Sequence, residues 1–147
     1  MKLFAPVLLS LLVCSLAIAS SPSSSDKGTD LLVTTDWLAK HLNDENLVLL
    51  HANWTRSTYK KGHIPGARFL WINALAKDTP DRNTELPSKK EGAEVLRDLG
   101  ITDHSRIVVY FEGGNMTMTT RMILTLTYLG LGDRVSLLDG SVSVMPR

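Results

Sequence analysis

The stretch Gly62-His63-Ile64-Pro65-Gly66-Ala67-Arg68 decides how the rest of the chain is interpreted. Two glycines bracket a proline here, so the segment is predicted to be a rigid, sharply turning loop. Apolar runs precede it (Leu47-Val48-Leu49-Leu50) and follow it (Phe69-Leu70-Trp71), and apolar runs bounded by turn signals are typical of buried strands. We expect the loop to reverse the chain between two core strands.

Strands and helices alternate on both sides of this loop. Ser88-Lys89-Lys90-Glu91 is a capping box that starts a helix, and Gly100 follows the end of that helix. A polar segment, 73–87, is predicted to be a surface loop. The predicted strands lie at 31–33, 47–51, 69–71, 106–110 and 134–138, and the predicted helices at 36–42, 88–99 and 118–129.

This alternation predicts an α/β domain with a mainly parallel sheet flanked by helices. In such a sheet, ligands bind beyond the carboxyl ends of the strands, beside the first turns of the following helices. The segment after strand 106–110 occupies that place. Its candidate anion-binding residues are Phe111, Glu112, Gly113, Gly114, Asn115, Met116, Thr117 and Arg121. An ordinary ion pair on the helix surface is an equal alternative for Arg121.

Length and composition restrict the possible functions. A chain of 147 residues forms one domain at most, and 44% hydrophobic with 21% charged residues is typical of a globular protein. Lysine and arginine number 16 against 15 acidic residues. This balance provides no electrostatic attraction for a polyanion, so no nucleic-acid partner is predicted.

The first 19 residues have the pattern of a signal peptide. Lys2 supplies a positive start, residues 8–18 are mainly apolar, and Ala17-Ile18-Ala19 is a small-x-small cleavage site. The alternative is a membrane anchor, although the apolar run is shorter than the ~20 residues that a span needs. We therefore expect a secreted or periplasmic protein without a membrane segment after cleavage, with a flexible Ser-rich linker at 20–30.

Cys14 is the only cysteine, and it lies within this leader. The mature chain would then form no disulfide and offer no thiol nucleophile. The spacing of His41, His51 and His104 does not suggest a zinc site, and neither a metal nor a cofactor is predicted. His63 is expected to be a structural residue, hydrogen-bonded within its loop.

The stretch Tyr59-Lys60-Lys61-Gly62-His63-Ile64-Pro65-Gly66-Ala67 resembles the signature after the second strand of rhodanese-like (sulfurtransferase) domains. Its structural motif residues would be Gly62, His63, Ile64, Pro65, Gly66 and Ala67. The resemblance implies a rhodanese-like fold, in which a cysteine directly after the strand at 107–110 takes sulfane sulfur from a donor such as thiosulfate. Phe111 stands at that position and Glu112 follows it, so no catalytic residue is predicted.

The resemblance covers about 32–140 and is similar to the N-terminal, cysteine-free half of tandem sulfurtransferases. The domain is assigned to 31–147 and is expected to be incomplete after about Gly140, where the resemblance stops. Two functions follow. The first is a non-catalytic structural or binding role, with a catalytic rhodanese domain or a small sulfur-containing anion as partner. The second is the N-terminal part of a thiosulfate or mercaptopyruvate sulfurtransferase whose cysteine lies in a missing C-terminal domain.

Two further patterns lie near this site. Asn53-Trp54-Thr55 and Asn115-Met116-Thr117 are both acceptor patterns for N-glycosylation. Thr117, Thr119 and Thr120 are expected to cap the helix or face solvent rather than act as nucleophiles.

Overall fold

The computed structural model describes residues 30–112 and 116–140. The strands in these ranges are β1 Leu32–Thr34, β2 Leu47–Asn53, β3 Arg68–Trp71, β4 Lys77–Thr79, β5 Arg82–Glu85, β6 Arg106–Tyr110 and β7 Val135–Asp139. Five of them form a sheet in the order β1-β7-β6-β2-β3, in which every neighbouring pair is parallel. The predicted parallel α/β architecture is confirmed.

Helices connect the strands and cover both faces of this sheet. They are α1 Thr35–His41, α2 Arg56–Lys61, α3 Ile72–Leu75, α4 Lys89–Asp98 and α5 Met116–Leu126. A π-type turn at Thr127–Leu131 and a 3₁₀ turn at Gly132–Arg134 lead from α5 into β7. In the part of the chain that is described, no helix combines the length and apolar character needed to cross a bilayer.

The two faces of the sheet bury separate hydrophobic clusters. Val48, Leu50 and Ala52 of β2 belong to a cluster packed against α4 and α5, whereas Leu49 belongs to a cluster that includes Leu38 of α1. Successive residues of a strand point to opposite faces, so burial of consecutive residues requires cover on both sides. Burying each leucine fully contributes about 2 kcal/mol.

The connection between β2 and β3 differs from the prediction. These strands are parallel neighbours with His51 opposite Phe69, so the 62–67 loop alone does not reverse the chain between them. The chain runs back along α2, and the loop turns the end of that helix into β3. None of the residues of α2 is fully buried, so no apolar periodicity marks this segment as a helix. Thr55 stands at its N-cap but makes no side-chain cap hydrogen bond.

The segment 73–87, predicted to be a loop, also contains regular structure. It includes most of α3 and the antiparallel hairpin of β4 and β5. The residues of β4 are all exposed, so no apolar alternation marks them as a strand. Thr84 adopts a left-handed φ of 58°, and its N–H donates to Asp78 Oδ1 at 2.8 Å.

The helix ends follow the sequence signals closely. Thr34 accepts from Trp37 N–H at the start of α1, and both halves of the Ser88 capping box form at the start of α4. Gly100 ends α4 with a φ of 67°, a left-handed value that favours glycine. α5 begins at Met116, two residues before its predicted start, because the helix includes part of the predicted loop.

Replacing Ser88 with Ala is expected to lower the free energy of unfolding by about 1 kcal/mol, because Glu91 N–H loses its acceptor. Ser88→Asn keeps a side-chain oxygen that can accept this bond, so it is the matched control and should change the free energy of unfolding by less than about 0.5 kcal/mol. Urea unfolding followed by circular dichroism measures both, and equal stability of Ser88→Ala and the wild type would contradict this cap.

The same contacts make stability depend on pH. Hydrogen bonds from Lys77 and Ser88 lower the pKa of Glu91 to about 2 from its ordinary 4.5. The stabilisation by the ionised Glu91 carboxylate is present above pH 4.5 and is lost as pH falls towards 2. Glu91→Gln cannot titrate, so its free energy of unfolding, measured by urea unfolding, should depend less on pH between these two values than that of the wild type.

Candidate functional site

The carboxyl ends of the parallel strands meet along one edge of the sheet, which we call the carboxyl edge. Asn53, Trp71, Tyr110 and Asp139 end β2, β3, β6 and β7 there. α5 follows β6, so the first turn of this helix lies at the same edge. The topology therefore creates the general setting in which α/β proteins bind ligands.

The predicted loop after β6 is shorter than expected. Phe111 is half-buried and packs against the larger hydrophobic cluster, whereas Glu112 is exposed. Gly113, Gly114 and Asn115 lie outside the described residues. Met116 and Thr117, predicted to be loop residues, form the start of α5. A packed benzyl side chain thus occupies the position directly after β6.

Arg121 lies in the second turn of α5 and contacts the hairpin. Its Nη2 donates to the carbonyl oxygen of Thr84 in β5, and its Nε is buried without a partner among the described residues. No ion pair of Arg121 is found in those residues. This hydrogen bond links α5 to the hairpin and does not involve Phe111 or Glu112.

The threonines of α5 differ in environment. Thr120 Oγ1 donates to the carbonyls of Met116 and Thr117, which is a local helix contact. Thr119 is almost completely buried, and its hydroxyl has no partner within the described ranges. The prediction that Thr119 caps the helix or faces solvent is wrong, because α5 starts earlier and Thr119 falls on its inner face.

Two tyrosines hold the 62–67 loop, which leads into β3 and packs on the sheet face that carries Leu49. The Tyr110 hydroxyl accepts from Ile64 N–H at 3.2 Å, and the Tyr59 hydroxyl donates to the Ala67 carbonyl at 2.8 Å. Burial raises the pKa of Tyr110 to about 12, so its hydroxyl stays neutral at physiological pH. Gly66 has a φ of 79°, which favours glycine at the turn.

His63 makes a hydrogen-bond contact with Tyr59, four residues before it in the chain. Its Nδ1 lies 2.8 Å from the carbonyl oxygen of Tyr59, and its ring stacks on the Tyr59 ring with centroids 3.8 Å apart. Ile64 and Ala67 are buried, while Gly62 and Pro65 stay exposed. The motif residues therefore form the connection between α2 and β3.

His51 lies completely buried beneath this loop. Its ring packs against Tyr110, Tyr59 and Phe69 with centroids 4.8, 5.7 and 6.4 Å away. Neither ring nitrogen has a hydrogen-bond partner among the described residues. Burial lowers the pKa of His51 from its ordinary 6.5, and the nearby Glu112 carboxylate opposes this shift. The burial of His51 in an aromatic cluster was not predicted from the sequence, although its position at the end of an apolar run is a signal for burial.

The described part of the chain bears on two further predictions. Asn53 is buried, and its Oδ1 accepts from Thr55 N–H at 3.3 Å, so the folded protein does not present this glycosylation pattern. In residues 30–112 and 116–140, no three histidine, cysteine or acidic side chains gather as a metal site. The predicted signal peptide, the linker up to residue 29 and the pattern at Asn115 lie outside the described residues.

Comparison with known proteins gives consistent results. A family model described as a rhodanese-like domain matches residues 34–144. The 3-mercaptopyruvate sulfurtransferase of Escherichia coli (strain K12) is 32% identical over 124 residues, covering 78% of this chain and 43% of the relative. The thiosulfate/3-mercaptopyruvate sulfurtransferase 2 of Arabidopsis thaliana is 30% identical over 119 residues, covering 76% of this chain and 34% of the relative.

Solved structures share the fold. SseA from Escherichia coli, one of the 3-mercaptopyruvate sulfotransferases, has a TM-score of 0.67 at 31% identity, covering 78% of this chain and 47% of that one. A human single-domain sulfurtransferase has a TM-score of 0.51 at 16% identity, covering 78% of this chain and 93% of that one, which shows the fold alone. This chain spans less than half the length of the curated relatives described above.

We expect the free energy of unfolding to fall as pH drops below about 6.5, because the unfolded chain binds a proton at His51 more readily than the folded one. His51→Phe keeps an aromatic ring but cannot titrate, so it should reduce this pH dependence. His104→Gln, at an exposed turn, is the control and should retain it. Urea unfolding at about pH 7.5 and 5.5 measures the change in the free energy of unfolding between the two pH values. An equal change for the wild type and His51→Phe would contradict the prediction.

Proposed function

We propose that this chain, which belongs to the rhodanese-like domain family, is a non-catalytic module that packs against a cysteine-bearing rhodanese domain. The single observation that carries the proposal is Phe111, which directly follows β6 where the family resemblance places the sulfur-carrying cysteine. The partner domain belongs either to the same polypeptide or to another chain.

The chemistry of sulfur transfer supports a non-catalytic role. A thiolate attacks the donor and carries the transferred sulfur as a persulfide, and a benzyl side chain can do neither. Residues 15–147 contain no cysteine, so no other side chain in them can replace the missing thiol. The exposed carboxylate of Glu112 also repels an anionic donor such as thiosulfate.

Exposed apolar side chains at the carboxyl edge support the docking role. Trp54 is 37% exposed, Trp71 51% and Met116 64%, and these residues follow β2, end β3 and start α5. Trp71 Nε1 donates to the carbonyl of Trp54, which fixes the two residues relative to each other. Tryptophan and methionine are enriched at protein interfaces.

The relatives support a partner that is a second domain. The Escherichia coli 3-mercaptopyruvate sulfurtransferase matches this chain over only 43% of its own length, which leaves more than half of it for other structure. A module that lacks the thiol contributes by presenting its carboxyl edge to the domain that has one. In the alternative function, this sequence is the N-terminal part of such an enzyme.

Secretion is the cellular context that we propose, from the leader pattern at 1–19. Cleavage after Ala19 would remove Cys14, and the mature domain would then be insensitive to oxidation of thiols. A small sulfur-containing anion at the start of α5 is a second candidate ligand, which rests on the free N–H groups of that helix.

The full chain is expected to transfer no sulfur from thiosulfate or 3-mercaptopyruvate to cyanide above a protein-free control, because it lacks a thiol after β6. Thiocyanate formation measures this. Cys14→Ser is the matched variant and should give the same background rate, which shows that the leader thiol plays no part. Sustained turnover by either protein would contradict the proposal.

Phe111→Cys adds a second comparison to this assay. Placing a thiol after β6 should give weak turnover at most, because Glu112 remains beside it. Turnover approaching that of the Escherichia coli 3-mercaptopyruvate sulfurtransferase, measured in parallel, would show that this domain retains a complete site apart from the thiol. That result would contradict the proposal that this domain is a non-catalytic docking module.

A further inference from the structure

The opposite edge of the sheet, where the strands begin, carries an open cleft of ≈ 510 Å³. The cleft lies between the turn before β2 and the first residue of β6, at the far end of the strands from Phe111. Its lining residues are Asn43, Asp44, Glu45, Asn46, Leu47 and Arg106. Because β6 spans about 15 Å, this cleft is separate from the carboxyl edge.

The position of Arg106 in this cleft is fixed by its neighbours. Its backbone N–H donates to the Asn46 carbonyl at 2.8 Å, and its guanidinium carbon lies 4.0 Å from the centre of the Trp37 ring. Trp37 itself stacks on His41, with ring centroids 4.0 Å apart. A planar guanidinium held against an indole loses little further freedom when it binds an anion.

Arg106 has no direct ion-pair partner in the described part of the chain. Its Nε is buried without a hydrogen-bond partner among the described residues. A guanidinium matches the two oxygens of a carboxylate in a bidentate arrangement. A ligand of this cleft should therefore carry a carboxylate that pairs with the Arg106 guanidinium.

The rest of the lining adds a second requirement. Asp44 and Glu45 line the same cleft, so a simple anion would meet repulsion from two carboxylates. A ligand that also carries an ammonium group turns this repulsion into attraction. Leu47 supplies an apolar surface beside these charges.

We propose that this cleft binds a free α-amino acid with an apolar side chain, its carboxylate on Arg106 and its ammonium group on Asp44 and Glu45. The volume accommodates such a molecule with room for solvent. An open cleft of this kind binds in the millimolar range, since the ligand stays partly hydrated. The site is independent of the proposed docking role at the carboxyl edge.

Three probes with a shared phenyl group test the proposal on the full chain. L-Phenylalanine has both charged groups, phenylacetate lacks the ammonium group and 2-phenylethylamine lacks the carboxylate. Backbone amide shifts of residues 43–47 and 106 in nuclear magnetic resonance spectra follow binding. L-Phenylalanine is expected to bind at least about tenfold more tightly than either of the other probes.

Variants separate binding from folding. Arg106→Gln and the surface pair Asp44→Asn with Glu45→Gln should each weaken L-phenylalanine binding about tenfold or more. Arg97→Gln, an exposed arginine of α4 outside the cleft, should leave it unchanged. Equal affinity for phenylacetate or 2-phenylethylamine, no saturable shift at millimolar concentrations, or full binding by the surface pair variant would each overturn the proposal.

Discussion

The hydrogen bond from Ile64 N–H to the Tyr110 hydroxyl joins two parts of the chain that are 46 residues apart. Tyr110 ends β6, the strand between β7 and β2, and Ile64 belongs to the loop before β3. The bond therefore sets the position of the 62–67 loop on the sheet face that carries Tyr110 and Leu49. Tyr59 adds a second bond at the other end of the loop, and both tyrosines pack on the buried His51 ring.

This arrangement holds the loop through Tyr110 and Tyr59, without a contribution from the side chain that follows β6. The loop depends on Tyr110, which is still part of the strand, and not on the side chain that follows it. Phe111 packs against the hydrophobic cluster, so its side chain adds core contacts at this position. The carboxyl edge then keeps its shape and its exposed tryptophans, which suits a surface for docking.

The main elements could be predicted from the sequence because their signals are local. The capping box at Ser88, the left-handed glycines at 100 and 130, and the two-sided burial of β2 all appear as residue patterns. α2 and the hairpin of β4 and β5 could not be predicted in this way. Their residues are mainly polar and none is fully buried, and these elements depend on backbone pairing and on the position of neighbouring strands.

The site was only partly predictable for a related reason. The sequence places Phe111 after a strand, but only the structure shows that Arg121 contacts Thr84 and that Thr119 faces inwards. The cluster around His51 needs three-dimensional information, because it joins residues of β2, α2, β3 and β6. The cleft at Arg106 likewise combines α1, the turn before β2 and the start of β6.

The docking role is tested most directly by the mass of the protein from its native source, under non-denaturing and then denaturing conditions. We expect the domain with Phe111, beginning at Ser20 after leader cleavage, to be accompanied by a cysteine-bearing rhodanese domain of roughly 100–150 residues. The denaturing mass shows whether that domain belongs to the same chain or to a complex. A non-denaturing mass equal to residues 20–147 alone would contradict the docking role.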